Sequence, residues 1–221
     1  MRAMILAAGR GERMRPLTDR VPKPLLEVGN KPLIQHQLEA LRRAGIAEFV
    51  INVAGLGNQI CDYLGDGSRF DVNITYSNEG NEPLETAGGI IKVLDFFQQQ
   101  PFVVTNADIY TEFDYRDLPE TLDSDAHLVL VNNPPHHPDG DFSLQADKLG
   151  LSGETRFTFS GIGVYQPRLF AGLTPGHRKL APILYEAAAQ GRINGQLYTG
   201  YWNDIGTPDR LAEVNKALSG T

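Results

Sequence analysis

A basic, glycine-rich segment near the amino terminus carries the groups best suited to bind phosphate. Gly9 and Gly11 follow a short apolar run at residues 3–7, which predicts a buried first strand. Glycines after the first strand of an α/β sheet let backbone N–H groups approach a phosphate closely. Because the chain as a whole is acidic, four cations clustered in this segment predict an anion-binding site. They are Arg10, Arg13, Arg15 and Lys23.

The loop does not match the two best-known phosphate-binding motifs. A dinucleotide-binding fingerprint needs a third glycine at position 14, where this chain has Met14. A P-loop needs Gly-Lys followed by Ser or Thr, which the segment lacks. Pro16, Pro22 and Pro24 predict an irregular, extended loop that does not enter a helix directly. The alternative interpretation is a surface loop that the glycines and prolines merely shape.

Two aspartates are suited to hold a divalent cation. Asp108 follows the apolar run 102–105, and Asp204 follows a second run at 197–202. Ligands bind beyond the carboxyl ends of strands in α/β sheets, so both carboxylates are expected on the ligand side. Nucleotidyl transfer depends mainly on charge neutralisation, for which a carboxylate-bound Mg²⁺ is well suited. The alternative for each aspartate is a turn or cap residue, although Thr207 already suits the cap of the following helix.

The elements that must position these residues alternate between strands and helices in the first half of the chain. Such alternation predicts an α/β fold with a doubly wound, mainly parallel sheet. Apolar runs predict strands at 3–7, 49–53, 72–76 and 102–105, and helical periodicity predicts helices at 32–44, 59–64 and 89–99.

The second half of the chain has a different pattern. Three predicted strands follow one another without a full helix between them, which indicates a small antiparallel lobe beside the main sheet. No repeat, low-complexity tract or linker interrupts the chain, so we expect one domain over residues 1–221. The predicted strands are 127–131, 142–149, 157–165 and 197–202, and the predicted helices are 180–189 and 208–218.

Composition excludes several classes of protein. The net charge of −7 argues against a general nucleic-acid binder, which usually carries a basic face. Cys61 is the single cysteine, so an intrachain disulfide and a multi-thiolate zinc site are both excluded. No apolar run approaches the ~20 residues of a membrane helix, and residues 1–8 do not resemble a signal peptide. We therefore expect a cytoplasmic protein that does not bind membranes.

The signature loop resembles that of the sugar-1-phosphate nucleotidyltransferases, which read Gly-x-Gly-x-Arg-(Met/Leu)-x-Pro-Leu-Thr followed by Pro-Lys-Pro. The resemblance extends over essentially the whole chain and implies a Rossmann-like nucleotidyltransferase fold. It implies that Gly9 and Gly11 wrap the triphosphate, Arg13 binds the β- and γ-phosphates, and Lys23 neutralises the reaction centre. Residues 106–108 and 202–207 resemble the family segments that supply two metal-binding aspartates, here Asp108 and Asp204. Arg13, Lys23 and Asp108 would then be catalytic, with Mg²⁺ as cofactor.

The same resemblance assigns the two substrates to the two halves of the chain. Residues 1–110 would bind the nucleoside triphosphate, and residues 111–221 would bind the sugar 1-phosphate. Ala107 and Glu85 stand where glycine is more usual, and the methyl group of Ala107 is expected to narrow the space beside the sugar phosphate or to be harmless. The implied nucleotide-binding residues also include Ala7, Ala8, Glu79, Glu85, Thr86 and Asn106, and the implied sugar-phosphate residues are Asp141, Gly161 and Lys179.

Several alternatives stay open at the level of the sequence. Thr86 could instead be the N-cap of the helix that follows it, and Lys179 could be a solvated surface lysine. Adjacent His136 and His137 lack a third ligand at metal-site spacing, so a substrate-facing loop is favoured over a metal site. Several segments resemble those of short bacterial family members that act in cell-wall recycling, namely residues 65–70, 82–86, 134–142 and 179–182. This resemblance implies UTP and N-acetylmuramic acid 1-phosphate as substrates.

Other members of the family offer competing substrates, namely GTP with mannose 1-phosphate and CTP with phosphocholine. A regulatory homologue without activity is disfavoured because the loop arginine, the lysine and both aspartates are present. A dinucleotide-dependent oxidoreductase is disfavoured because Asn52 and Val53, instead of an acidic residue, close the second strand. Because the chain is compact and shows no extra domain, we expect a monomer.

Overall fold

A computed structural model describes residues 1–80 and 82–220 of the protein. Within these residues, the centre of the fold is a nine-stranded sheet. The sheet order is β5-β4-β1-β6-β11-β8-β12-β10-β9, with the small pairs β2-β3 and β7-β13 outside it. The strands are β1 (Arg2–Leu6), β2 (Glu27–Val28), β3 (Lys31–Pro32), β4 (Glu48–Val53), β5 (Asn73–Asn78), β6 (Phe102–Asn106), β7 (Ile109–Thr111), β8 (Ala126–Val131), β9 (Ser143–Gln145), β10 (Lys148–Gly150), β11 (Thr158–Tyr165), β12 (Ile193–Tyr198) and β13 (Trp202–Asp204).

The predicted fold class is confirmed by the pairing of these strands. β5, β4, β1 and β6 are parallel neighbours, as expected for the first half of the chain. β11 joins β6 and β8 in antiparallel register, and the β9-β10 hairpin extends the far edge. β12 is the exception in the second half, because it runs parallel to β8. Strands from both halves of the chain therefore share one continuous sheet.

Helices cover both faces of the sheet, because side chains along a strand alternate between its two faces. Ile5 of β1 packs with the helices on one face, whereas its neighbour Met4 packs with those on the other. The first face carries α1 (Leu33–Arg43) and α2 (Gly57–Leu64), and the second carries α3 (Glu85–Lys92) and α4 (Ala181–Ala189).

The last helix, α5 (Pro208–Ser219), has the predicted amino-terminal cap, since the Thr207 side chain accepts a hydrogen bond from Arg210 N. It packs on a third apolar cluster that includes Val214 and Met14. No helix of the described part of the chain is both long enough and apolar enough to cross a membrane.

The helix predicted at 89–99 begins and ends earlier than expected. α3 starts at Glu85, where a distant segment completes its first turn: Ala87 N and Gly88 N donate to Arg178 O at 3.0 and 3.1 Å. After Lys92 the chain tightens into a 3₁₀ turn, and Gln98 then takes a left-handed conformation that ends it. The shift results from a tertiary contact that local sequence does not encode.

Two predicted strands of the second half are each divided. Residues 142–149 form the β9-β10 hairpin, because Ala146 adopts φ 53° and reverses the chain between the two strands. Residues 197–202 contribute the end of β12 and the start of β13, with a break at Gly200. The break lets β13 leave the main sheet and pair with β7 beside Asp108.

Candidate active site

A cavity of about 890 Å³ lies beyond the carboxyl ends of β1, β4 and β6. The glycine-rich loop and the segment before α3 line it, together with residues at the ends of the parallel strands. All of the nucleotide-binding residues implied by the family resemblance line this one cavity. They are Ala7, Ala8, Gly9, Gly11, Arg13, Lys23, Glu79, Glu85, Thr86 and Asn106.

The glycine-rich loop is irregular, as predicted, but it is not extended, since three short 3₁₀ turns fold it back at 12–14, 17–19 and 23–25. Gly11 adopts φ 63°, and a Cβ atom there would lie 2.9 Å from Thr18 Cγ2. Thr18 Oγ1 also donates to Gly11 O at 2.8 Å. A Cβ atom at Gly9 would meet nothing within 4 Å. The fold therefore requires glycine at position 11, whereas at position 9 glycine leaves open space in the cavity.

Met14 anchors this loop to the rest of the molecule. It is fully buried in the cluster that contains Leu33, Ile205 and Val214. The position where a dinucleotide fingerprint would have its third glycine is thus used for packing against α1 and α5. This contact fixes the loop above the strand ends.

Three of the four predicted cations face the cavity. Arg10, Arg13 and Lys23 line it. Arg15 does not line it and forms an exposed ion pair instead, with its Nε 3.3 Å from Asp19 Oδ1. The expectation that all four cations contribute to one anion site is therefore wrong for Arg15, which the folding of the loop turns away.

Lys23 and Asp108 meet inside the cavity. The Lys23 ammonium contacts Asp108 Oδ2, and the Lys23 side chain is only 10% exposed. Asp108 lies at the turn between β6 and β7, and its carbonyl oxygen accepts a hydrogen bond from Ile205 N at 2.9 Å. Because Asp204 pairs with Ile109 across β13 and β7, the backbones of the two predicted metal-binding aspartates are neighbours.

The carboxylate of Asp204 is held by side chains of Arg210 and His136 and does not line the cavity. Arg210 Nη1 donates to Asp204 Oδ2 at 2.6 Å, and His136 Nε2 lies 3.0 Å from Oδ1. Gly206, two residues after Asp204, does line the cavity. Two hard oxygen donors at adjacent strand ends fit Mg²⁺, which takes one or two carboxylates and completes its shell with phosphates and water.

The two adjacent histidines contact different carboxylates, His136 that of Asp204 and His137 that of Asp141, the latter at 3.2 Å. Nowhere in the described residues do three or more His, Cys, Asp or Glu side chains stand together as a potential metal site. A divalent cation at Asp108 and Asp204 would thus depend on ligands from the substrates.

The segment before α3 forms a further wall of the cavity. Glu85 adopts φ 61° although it is not glycine, and its Oε1 lies 3.7 Å from His177 Nε2 at the rim. Left-handed backbone is uncommon at non-glycine residues, and active sites are one of the places where it occurs. Thr86 is the second residue of the helix and lines the cavity, with Leu84 at the N-cap position. The alternative that Thr86 serves as N-cap is therefore wrong.

A second cavity of about 420 Å³ adjoins the first. The three residues implied to bind the sugar phosphate, Asp141, Gly161 and Lys179, all line it. Most of its walls are apolar or aromatic, in contrast to the first cavity. The two cavities share four lining residues, which places them side by side: Leu6, Glu85, Thr86 and Asn106.

An irregularity in β11 shapes the boundary between the cavities. The pairing of β11 with β8 shifts between Phe159 and Ile162, and Gly161 in this bulge adopts φ 84°. A Cβ atom on Gly161 would lie 2.5 Å from Asn106 Nδ2, so glycine is required for the Asn106 side chain to pack there. Asp141 Oδ2 accepts from Phe159 N at 2.8 Å and fixes the same segment. Bulges of this kind commonly redirect side chains beside active sites.

Tyr165 lies in the wall of the smaller cavity and is fully buried. Its hydroxyl makes no hydrogen bond with the described residues. Burial raises the pKa of Tyr165, so the hydroxyl keeps its proton. Ala107, in contrast, packs in the core and belongs to neither cavity lining, so its methyl group does not narrow the site.

Comparison with known proteins identifies the family. Residues 2–144 match the family described as nucleotidyl transferase. The chain belongs to this family. A Neisseria meningitidis serogroup B protein named N-acetylmuramate alpha-1-phosphate uridylyltransferase is 52% identical over 100% of this chain and 99% of its own length. A mannose-1-phosphate guanyltransferase of Schizosaccharomyces pombe is 32% identical over 94% of this chain, with 61% of its own length matched.

Solved structures support the fold of this nucleotidyl transferase. HddC from Yersinia pseudotuberculosis, complexed with GMP-PN, superposes with a TM-score of 0.79 at 21% identity, covering 98% of this chain and 99% of that one. A Bacillus anthracis protein crystallised with a sucrose gives a TM-score of 0.86 at 24% identity, covering 99% and 95%.

Sequence reasoning missed several residues of the nucleotidyl transferase site. Asn52 is buried and links two walls of the larger cavity, and a polar residue inside an apolar strand was the signal for it. Glu82 and His177 lie on the same cavity without a sequence signal. Arg210, which holds Asp204, comes from the terminal helix and could be assigned only from the fold.

Proposed function

We propose that this nucleotidyl transferase transfers a uridylyl group from UTP to N-acetylmuramic acid 1-phosphate, releasing pyrophosphate. The observation that carries the proposal is the adjacency of the two cavities, one lined by every implied nucleotide-binding residue and the other by every implied sugar-phosphate residue. The choice of substrates is supported by the 52% identity to the Neisseria uridylyltransferase over both full lengths. The enzyme would act in the cytoplasm, in peptidoglycan recycling.

The chain supplies groups for each part of the reaction. An oxygen of the sugar 1-phosphate attacks the α-phosphorus of UTP, and pyrophosphate leaves from the opposite side. Gly9 and Gly11 leave room for the triphosphate, and Arg13 binds the departing β- and γ-phosphates. Lys23, already held by Asp108, places a positive charge at the reaction centre without reorganisation. Catalysis then consists of alignment and electrostatic stabilisation.

Asp108 and Asp204 are the residues that would hold Mg²⁺. When bound, the ion would neutralise charge on the reacting phosphates. Lys23 contacts the carboxylate of Asp108, and Arg210 contacts that of Asp204, so each side chain is held by a cation of the protein.

The smaller cavity suits an acceptor with both apolar and polar substituents. Aromatic walls such as Phe142 and Phe159 can cover the methyl groups of an N-acetyl and a lactyl substituent. Lys179 would form an ion pair with the lactyl carboxylate. Asp141 would accept hydrogen bonds from sugar hydroxyls, or would hold the segment at Phe159 that lines the cavity.

The test is pyrophosphate release with Mg²⁺, measured for four nucleoside triphosphates against a panel of acceptors. The panel contains the 1-phosphates of N-acetylmuramic acid, N-acetylglucosamine, glucose and mannose, together with phosphocholine. We expect the highest kcat/KM with UTP and N-acetylmuramic acid 1-phosphate. A preference for GTP and mannose 1-phosphate would support the alternative suggested by the Schizosaccharomyces relative. Absence of turnover with every pair would refute the enzymatic proposal.

A further inference from the structure

A series of hydrogen bonds, which runs from buried Asn52 to half-buried Glu79, crosses the end of the larger cavity. Asn52 Oδ1 accepts from Ala7 N at 2.8 Å, and Asn52 Nδ2 donates to Glu79 Oε1 at 2.8 Å. The other carboxylate oxygen, Glu79 Oε2, accepts from Leu84 N at 2.7 Å. These hydrogen bonds link the start of the glycine-rich loop to the segment before α3 through one side-chain amide and one carboxylate.

The neighbouring residues leave space for these hydrogen bonds. Asn52 is 4% exposed and lies in β4 among the buried apolar residues of 49–53. A Cβ atom on Gly89 of α3 would lie 2.6 Å from Glu79 Oε1 and 3.0 Å from Asn52 Nδ2, so only glycine leaves the space that the two side chains occupy. Ala7, Asn52 and Glu79 all line the cavity. A polar pair of one buried and one half-buried side chain is therefore maintained where two cavity walls meet.

We propose that Asn52 is a positioning residue for the nucleoside triphosphate, which acts through Ala7 and Glu79 and does not itself take part in the reaction. The inference rests on the proposed function of the cavity. The side-chain amide suits the position because it accepts on one side and donates on the other. Its orientation fixes the distance between the loop that receives the triphosphate and the segment that ends at Glu85. The acceptor cavity does not include Asn52 or Glu79.

Asn52→Asp is the sharpest test, because it keeps the shape and exchanges the donor for a carboxylate oxygen. Two carboxylates would then face each other, and the pKa of the pair would rise, because like charges this close cannot both ionise. At about pH 8.5 we expect the KM for UTP to rise roughly tenfold, with kcat and the KM for the sugar 1-phosphate changed less than twofold. As the pH falls through the raised pKa, the shared proton replaces the lost donor, and the KM should return towards the wild-type value.

The pH profile of the wild-type enzyme supplies the baseline, because other ionisable groups stand nearby. Glu82, Glu85 and His177 line the same cavity, and Lys92 of α3 donates to Asn78 O beside Glu79. Their contribution is common to both proteins, so the ratio of the two KM values at each pH isolates the Asn52→Asp effect.

Asn73→Asp is the matched control. Asn73 Nδ2 donates to Glu48 Oε1 at 2.6 Å between β5 and β4, so the same pair of groups occurs on the surface, away from both cavities. We expect this variant to keep the wild-type KM for UTP at every pH. Thermal melting of both variants separates a change in stability from a change in nucleotide binding.

The inference is overturned if Asn52→Asp keeps the wild-type KM for UTP across the pH range, or if its KM is raised equally at all pH values. Asn52→Ala decides the question if Asn52→Asp does not fold, because it removes both side-chain hydrogen bonds of Asn52 without adding a charge. This variant should raise the KM for UTP and leave kcat and the KM for the sugar 1-phosphate unchanged, and an unchanged KM for UTP would refute the inference. If the wild-type protein itself released no pyrophosphate from UTP and the sugar 1-phosphate, the proposed function would be refuted instead.

Discussion

The two cavities differ in how their polar groups are satisfied. In the larger cavity two pairs of charged or amide groups contact each other, Lys23 with Asp108 and Asn52 with Glu79. In the smaller cavity the walls are mainly apolar, and the buried hydroxyl of Tyr165 has no partner within the described residues. If the two cavities bind the substrates as proposed, polar contacts preorganise the nucleotide side, whereas packing mainly shapes the acceptor side.

The largest effect is expected from breaking the charge pair of the larger cavity. Asp108→Asn removes the charge that orients Lys23 and would help to hold Mg²⁺, so turnover should fall roughly 100-fold or more, the scale of one preorganised electrostatic group. Pyrophosphate release under saturating substrates measures it. Asp71→Asn, which alters an exposed ion pair with Arg42, is the control and should keep wild-type turnover. Near-full activity of Asp108→Asn would contradict the catalytic assignment.

An intermediate effect is expected from alanine at the two loop glycines, because backbone geometry requires Gly11, whereas Gly9 leaves open space in the larger cavity. Gly11→Ala should lower the free energy of unfolding by about 2 kcal/mol, because it forces a side chain into left-handed backbone and against Thr18. Gly9→Ala should change stability by less than about 0.5 kcal/mol and instead raise the KM for UTP, since its methyl group enters open cavity space. Urea unfolding and steady-state kinetics measure the two effects. Equal destabilisation by both variants would show that the distinction is wrong.

The smallest effect concerns the unpaired hydroxyl of the smaller cavity. Tyr165→Phe should raise the free energy of unfolding by about 1 kcal/mol, because a buried polar group without a partner is unfavourable. Tyr115→Phe is the opposite case, since the Tyr115 hydroxyl hydrogen-bonds with Gln37 and Thr105, and it should lower stability by about 1 kcal/mol. Denaturant unfolding of both variants tests the contrast. A Tyr165→Phe variant less stable than the wild type would mean that its hydroxyl is satisfied in solution.

The fold class and most of the larger cavity could be predicted from local sequence. Short-range patterns sufficed for them: apolar runs marked the parallel strands, and Gly9, Gly11 and Lys23 stand within one loop. Asp108 was identified because a carboxylate after a buried parallel strand must lie at the ligand edge of the sheet. The failures came where distant segments decide local structure, as when Arg178 sets the start of α3.

Local residue patterns are enough to predict the parallel α/β half, the glycine-rich loop and the class of chemistry, because residue type and spacing along a few turns of chain carry that information. Tertiary packing sets which charges face inward. It turned Arg15 away from the cavity, brought Arg210 and His136 onto Asp204, and joined Asn52 to Glu79. Each of these outcomes depends on how separate elements pack, and the choice among partners distant in sequence is made only when the sheet and its helices come together.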